Sequence, residues 1–110
     1  MTAPAIFTSA ALRGLEEAVA WIARDNFDAA IEFRDATIEA ARMLGKFPSM
    51  GARRPIHGAD RFRFHGLRRG TYLLVYSAET TPPRIVRVLH MARDLRPILD
   101  SVPDYSPVGK

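Results

Sequence analysis

The sequence predicts an α+β domain of order β, α, α, β, β, β: a helical hairpin packed on a small, mostly antiparallel sheet, with a short C-terminal helix. Three observations carry that prediction. Apolar residues recur at helical spacing up to about residue 46, the period becomes that of strands after residue 60, and Pro48 and Gly51 punctuate the change. With 110 residues, one domain is expected, with a core over about 5–99 and a flexible tail over 100–110. Roughly 65% of the unfolded surface can be buried at this size. A 47% hydrophobic composition supplies the material without staples.

A short strand at Ala5 to Thr8 opens the chain. Ser9 is the expected N-cap of the first helix, in which Leu12, Leu15, Val19 and Ile22 recur at helical spacing with Trp21 beside them. Its alanines favour the helix, whereas Gly14 costs about 1 kcal/mol relative to alanine. Asn26 or Asp28 caps a second helix over about 28–46. Its apolar stripes are Ile31, Ile38 and Ala41, and beside them Phe33, Ala40, Leu44 and Phe47. The connection is so short that the two helices must pack antiparallel. A loop over 49–60 carries Arg53, Arg54, Pro55 and Gly58.

Arg61 to His65 then alternates polar and apolar residues, as a strand with one buried face does. Gly66 and Gly70 bracket a basic turn containing Arg68 and Arg69. Thr71–Ser77 and Arg84–His90 are rich in β-formers, and Glu79 to Pro83 joins them as an antiparallel hairpin. Leu95, Ile98 and Leu99 suit a short last helix in which Pro97 permits about one turn. The hairpin of helices covers one face of the sheet, and the other is expected to stay open.

The absence of cysteine excludes a disulfide scaffold, a zinc ribbon and a thiol nucleophile. No apolar run approaches about 18 residues and the N-terminus lacks a basic segment followed by an apolar one, so a soluble cytoplasmic protein is expected. Charge is uneven. Residues 1–50 hold five basic against seven acidic residues, and residues 51–110 eleven against five. Of the 16 basic residues 14 are arginine, whose planar fork suits carboxylate and phosphate, so an anionic partner is expected for the second half.

His57, His65 and His90 have no metal-ligand spacing, so no metal is expected. The serines sit in no GxSxG turn and the glycines in no phosphate or dinucleotide loop, so no cofactor is expected either. His90 is followed by Arg93 and Asp94, a grouping that fits either a structural strand end or an oriented ring. There remains a cationic surface on the sheet's exposed side: Arg61, Arg63, Arg68, Arg69, Arg84, Arg87, His65 and His90, with Tyr72 and Tyr76. Metal-free RNA cleavage needs a base, a cation and an acid, which His, Arg and Tyr can supply. Against that stand core tyrosines and solvated strand arginines. As a cluster the residues favour an anionic target or an acidic protein partner.

Four segments resemble the RelE/ParE superfamily of toxins from bacterial type II toxin-antitoxin systems, particularly its ParE-like branch. They are the first helix Ser9–Asn26, with Gly14 where an acidic residue is more usual; Leu44–Gly51 followed by Arg53 or Arg54, an "LxxFPxxGxxR" bridge; Gly70–Tyr76, a "GxYxxxY" strand; and Ile85–Asp94, with its "RVLHxxRD" core. The resemblance implies the RelE/ParE-like β-α-α-β-β-β fold and a cognate antitoxin whose acidic or amphipathic C-terminal segment masks the toxin in a hetero-oligomer. ParE-like members inhibit DNA gyrase and serve growth inhibition and plasmid stabilization, whereas RelE-like members cleave messenger RNA at the ribosome. On this reading Arg61, Arg63, Arg68, Arg69, Tyr72, Arg87, His90 and Arg93 bind antitoxin or target. A nuclease would use Arg63, Arg69, Arg87 and His90. Tyr105 lies 15 positions beyond His90, too far to inherit a catalytic role from the family. A third alternative is an inactive module that only binds its antitoxin.

Overall fold

Thr8 decides where the chain turns from strand to helix. Its backbone is extended while its side-chain oxygen accepts the Ala11 N–H at 3.1 Å, so Thr8 rather than Ser9 is the N-cap. The structure is a computed structural model and describes residues 2–54, 61–93 and 95–102. Its elements are β1 (Ile6–Phe7), α1 (Ser9–Ala23), α2 (Phe27–Lys46), β2 (Arg63–Leu67), β3 (Tyr72–Ser77), β4 (Arg84–His90) and α3 (Leu95–Asp100). Asn26 caps α2 by accepting the Ala29 N–H at 3.0 Å. The expectations for His57, Asp94, Tyr105 and the tail from 103 fall outside the described residues.

The sheet order is β1-β4-β3-β2, with β1 parallel to β4 and the other pairs antiparallel. β2 begins two residues later than the alternation suggested and runs through Gly66 to Leu67. β3 lies at the centre, and all six of its residues are buried. On one face Leu67, Tyr72, Leu74, Tyr76, Ile85 and Val88 pack against the helical hairpin. On the other, Phe62, Phe64, Leu73, Val75, Val86 and Leu89 pack against Leu95, Leu99 and Val102. This corrects the expectation of an open face: α3 and Val102 cover it. Pro97 falls in the first turn of α3, where the missing N–H has no helical acceptor to lose.

The helices seat differently from their apolar spacing. α2 buries Ala30, Phe33, Thr37, Ala40, Ala41 and Leu44, and leaves Ile31, Ile38 and the following Phe47 exposed. The stripe mixes the large Phe33 and Leu44 with small residues, and Thr37 satisfies its buried hydroxyl by donating to the Phe33 carbonyl at 2.8 Å. In α1 Leu15 and Ile22 are buried, but Leu12 and Trp21 are exposed.

At the β2–β3 tip the backbone is left-handed at three successive residues: Arg68 (φ 49), Arg69 (φ 56) and Gly70 (φ 89). Two overlapping turns close it, Gly70 N–H to Leu67 carbonyl at 3.0 Å and Thr71 N–H to Arg68 carbonyl at 3.1 Å. Glycine adopts this conformation freely, whereas each arginine pays about 1 kcal/mol or more.

Gly14 shows why helix propensity misjudges α1. A Cβ at this position would stand 2.4 Å from the Val88 carbonyl oxygen, so the helix backbone rests directly on β4. Gly14→Ala should therefore lower stability by about 2 kcal/mol, although propensity alone gives a gain of about 1 kcal/mol. Urea unfolding of the two proteins decides between the signs, and a higher midpoint for the variant would refute the seating of α1 on β4.

Candidate functional site

β1 pairs only with Arg84 and Ile85, so among the described residues the outer edge of β4 has no strand partner beyond them. What meets that edge is α1. The Val86 carbonyl accepts the Thr8 hydroxyl at 3.2 Å and Arg87 Nη1 at 2.7 Å, and the Val88 carbonyl lies under Gly14. Between α1, this edge and α3 runs a groove of about 600 Å³. Arg13, Glu17 and Trp21 line it from α1, Arg87 and His90 from β4, Arg93 from the following turn, and Ile98 and Ser101 from the C-terminal side. Tyr72 is buried in its floor, with its ring 4.9 Å from that of Phe33. A smaller depression of about 270 Å³ shares Trp21, Tyr72 and His90 with the groove and reaches Asp25, Asn26 and Arg68. Trp21 is 62% exposed, a large apolar surface for water to cover, and the Arg24 guanidinium lies 4.9 Å from the ring centre.

His90 is held in place. Its ring stands edge-on to Tyr72 at 5.1 Å, and its Nδ1 accepts the Ala92 N–H at 3.0 Å. That bond assigns the lone pair to Nδ1, so the neutral ring carries its proton on Nε2 and presents a donor to the groove. A general base at Nε2 would need the other tautomer, without the Ala92 bond.

Two other arginines of the expected cluster, Arg61 and Arg63, do structural work elsewhere. Arg63 Nη1 donates to the Gly51 carbonyl at 2.8 Å and the Ser49 carbonyl at 3.2 Å. Arg61 Nη2 donates to the Val102 carbonyl at 2.6 Å, and its guanidinium lies over the Phe62 ring. Tyr76 is fully buried; its hydroxyl donates to the Pro48 carbonyl at 2.6 Å and accepts the Gly51 N–H at 2.8 Å. Burial pushes the pKa of that hydroxyl up, opposed by the Gly51 bond and the Arg63 charge. Burial likewise pushes His65 on β2 below the usual histidine value. Tyr72 and Tyr76 thus face the helices and do not line an exposed sheet face.

The four residues a nuclease would use are not brought to one point. Arg63 is paired with Tyr76 and His90 with Tyr72. Their main chains are therefore about 13 Å apart along the strands and about 10 Å apart across them. Arg69 is exposed at the hairpin tip, and only Arg87 and His90 share the groove. Among the described residues no group of three or more His, Cys, Asp or Glu could hold a metal ion. Reasoning from sequence missed Arg13, Glu17, Ile98 and Ser101. Trp21 carried a signal, an aromatic displaced from the buried stripe of its helix.

Residues 5–95 match the family model described as the ParE toxin of the type II toxin-antitoxin system parDE. The chain belongs to the ParE toxin family. Among solved structures it is similar to a chain of the chromosomal ParDE toxin-antitoxin system from P. aeruginosa, with a TM-score of 0.66 and 17% identity, covering 81% of this chain and 96% of that one. At that identity the likeness concerns the fold. Among curated proteins no relative matches the sequence.

Two of the segments that resemble ParE toxins turn out to form a clamp. Pro48 and Gly51 of the "LxxFPxxGxxR" bridge meet the second tyrosine of "GxYxxxY", and a Cβ on Gly51 would stand 2.6 Å from the Tyr76 ring. This ties the exit of α2 to the centre of the sheet. Tyr76→Phe strands the buried Gly51 N–H and should cost about 1–3 kcal/mol. Thermal unfolding checks it, and an unchanged midpoint would show the hydroxyl to be dispensable.

Proposed function

We propose that this ParE-family chain inhibits growth by binding DNA gyrase and is neutralised by a cognate antitoxin whose acidic, amphipathic C-terminal segment lies in the α1–β4–α3 groove. The observation that carries the reading is the groove itself. It combines apolar surface, the exposed Trp21 and the half-buried Ile98, with a basic rim, Arg13, Arg87 and Arg93, while the candidate nuclease residues are dispersed. Apolar side chains of a peptide segment would be buried on the walls, and its carboxylates would meet guanidiniums that offer bidentate contact. A segment that orders only on binding would spend part of this interaction energy on its own ordering. Arg68 and Arg69 at the hairpin tip, and Tyr72 and His90 in the floor, belong to the same binding surface. Arg61 and Arg63 take a supporting role on this reading, because they lie outside the groove and their donors go to main-chain carbonyls.

One observation favours ribosome-dependent mRNA cleavage as a second reading: Arg87 and His90 lie together in the groove, a cation beside a proton donor. The two readings differ in a single pair of assays. The purified protein is expected to stabilise gyrase-dependent DNA breaks and to leave ribosome-bound messenger RNA intact. Normal gyrase turnover at saturating protein overturns the first reading; cleavage abolished by Arg87→Ala and His90→Ala establishes the second.

The antitoxin complex should weaken with salt, since its rim contacts join arginines to carboxylates. Raising ionic strength from 50 to 500 mM is expected to reduce affinity about tenfold, mostly through slower association. Titration calorimetry across that range checks it, and a salt-independent affinity would assign the complex to apolar burial alone.

A further inference from the structure

The β2–β3 tip contradicts its own turn chemistry. Left-handed backbone at two successive central positions selects asparagine and glycine, and here both positions are arginine. The fold receives nothing obvious in return. Both side chains are exposed, and neither forms an ion pair among the described residues. Strain of this kind is held by the surrounding structure, here the two turn hydrogen bonds, and clusters at ligand clamps and switch regions. The position of the tip supplies the role: Arg68 borders the smaller depression, which is joined to the main groove through Trp21, Tyr72 and His90.

We propose that the tip is an anchor, in which the left-handed backbone presents Arg68 and Arg69 as a double fork for the carboxylates of an acidic peptide segment leaving the groove past Trp21 and His90. This rests on the reading that the groove receives the antitoxin's C-terminal segment. A peptide fits better than a nucleic acid because the depression is mixed in character. Ile22 and Ala29 give it apolar surface, and Asp25 places a carboxylate in its wall. A phosphate backbone brings negative charge at every residue and would meet Asp25, whereas a peptide can place its acidic residues at the tip alone. The pairing needs arginine in particular, since a lysine ammonium cannot make the two parallel bonds of a guanidinium with one carboxylate.

The test uses the full chain and the cognate antitoxin proposed above. Arg68→Asn with Arg69→Gly installs the residues that the backbone prefers, and Arg68→Lys with Arg69→Lys keeps the charge and the strain. The Asn–Gly variant should unfold about 5 °C higher than the parent and bind antitoxin at least tenfold more weakly. The Lys–Lys variant should unfold at the parent's temperature and show an intermediate loss of affinity. A short duplex DNA and a short RNA serve as parallel probes. Unchanged antitoxin binding by the Asn–Gly variant overturns the anchor, and so does a loss confined to the nucleic-acid probes. An Asn–Gly variant no more stable than the parent overturns the strain argument. If the parent itself does not bind the antitoxin, the reading of the groove fails and the anchor falls with it; a parent that binds while the Asn–Gly variant binds equally sinks the anchor alone.

Discussion

The contact between the α1 backbone and the edge of β4 is the constraint on which the rest of the binding side depends. A helix can lie on a strand edge only where no side chain intervenes, and Gly14 over the Val88 carbonyl meets that condition. Thr8 prepares the approach by ending β1 after two residues, capping α1 and donating its hydroxyl to the Val86 carbonyl. The helix therefore takes the place along β4 that a longer first strand would occupy. From this one placement follow the wall of Arg13, Glu17 and Trp21, the opposing wall from the C-terminal segment, and the groove between them.

Burial of β3 on both faces is the second constraint, and it sorts the arginines. With helices on one side and α3 on the other, no broad sheet face is left to carry charge. Basic residues are displaced to edges, turns and element ends, where they divide into two groups. Arg61 and Arg63 spend donors on main-chain carbonyls and hold the C-terminal segment and the 48–51 bridge. Arg87, which also donates to the Val86 carbonyl, Arg93 and Arg68 border the groove and its extension, with Arg69 beside Arg68 at the tip. The charge excess of residues 51–110 is thus partly structural and partly a rim.

Much of the fold was legible in the sequence. Periodicity located both long helices and the β3–β4 hairpin, and Asn26 announced its cap, because these features depend on neighbours within a few positions. The supposed open face was misread although a signal existed: Tyr72 to Tyr76 is continuously apolar and does not alternate, as a strand buried on both faces requires. The stripes of α2 were read only in part, because helical spacing does not say which of two adjacent stripes turns inward. Phe33, Ala40, Ala41 and Leu44 are buried as expected, whereas Ala30 and Thr37 lie inside and the more hydrophobic Ile31 and Ile38 are exposed. Tyr72, Arg87, His90 and Arg93, which the sequence and its family resemblance had singled out, line the groove, Tyr72 as a buried floor and not on an exposed sheet face, whereas Arg13, Glu17 and Ile98 were not legible, since nothing local marks a residue as facing a groove.

By itself the sequence determined the order of elements, the family and the presence of an arginine-rich second half, all properties carried by short-range pattern and residue identity. Tertiary structure alone decided which arginines bind the protein's own carbonyls away from the groove, as Arg61 and Arg63 do, and which border the groove. It also turned Gly14 from a weak point of a helix into the seat of that helix, and Tyr76 from a surface candidate into an internal clamp. The physical reason is the same in each case. These roles are set by contacts between residues 12 to 74 positions apart, such as Arg63 with Gly51 and Gly14 with Val88, and such contacts exist only after the layers have packed.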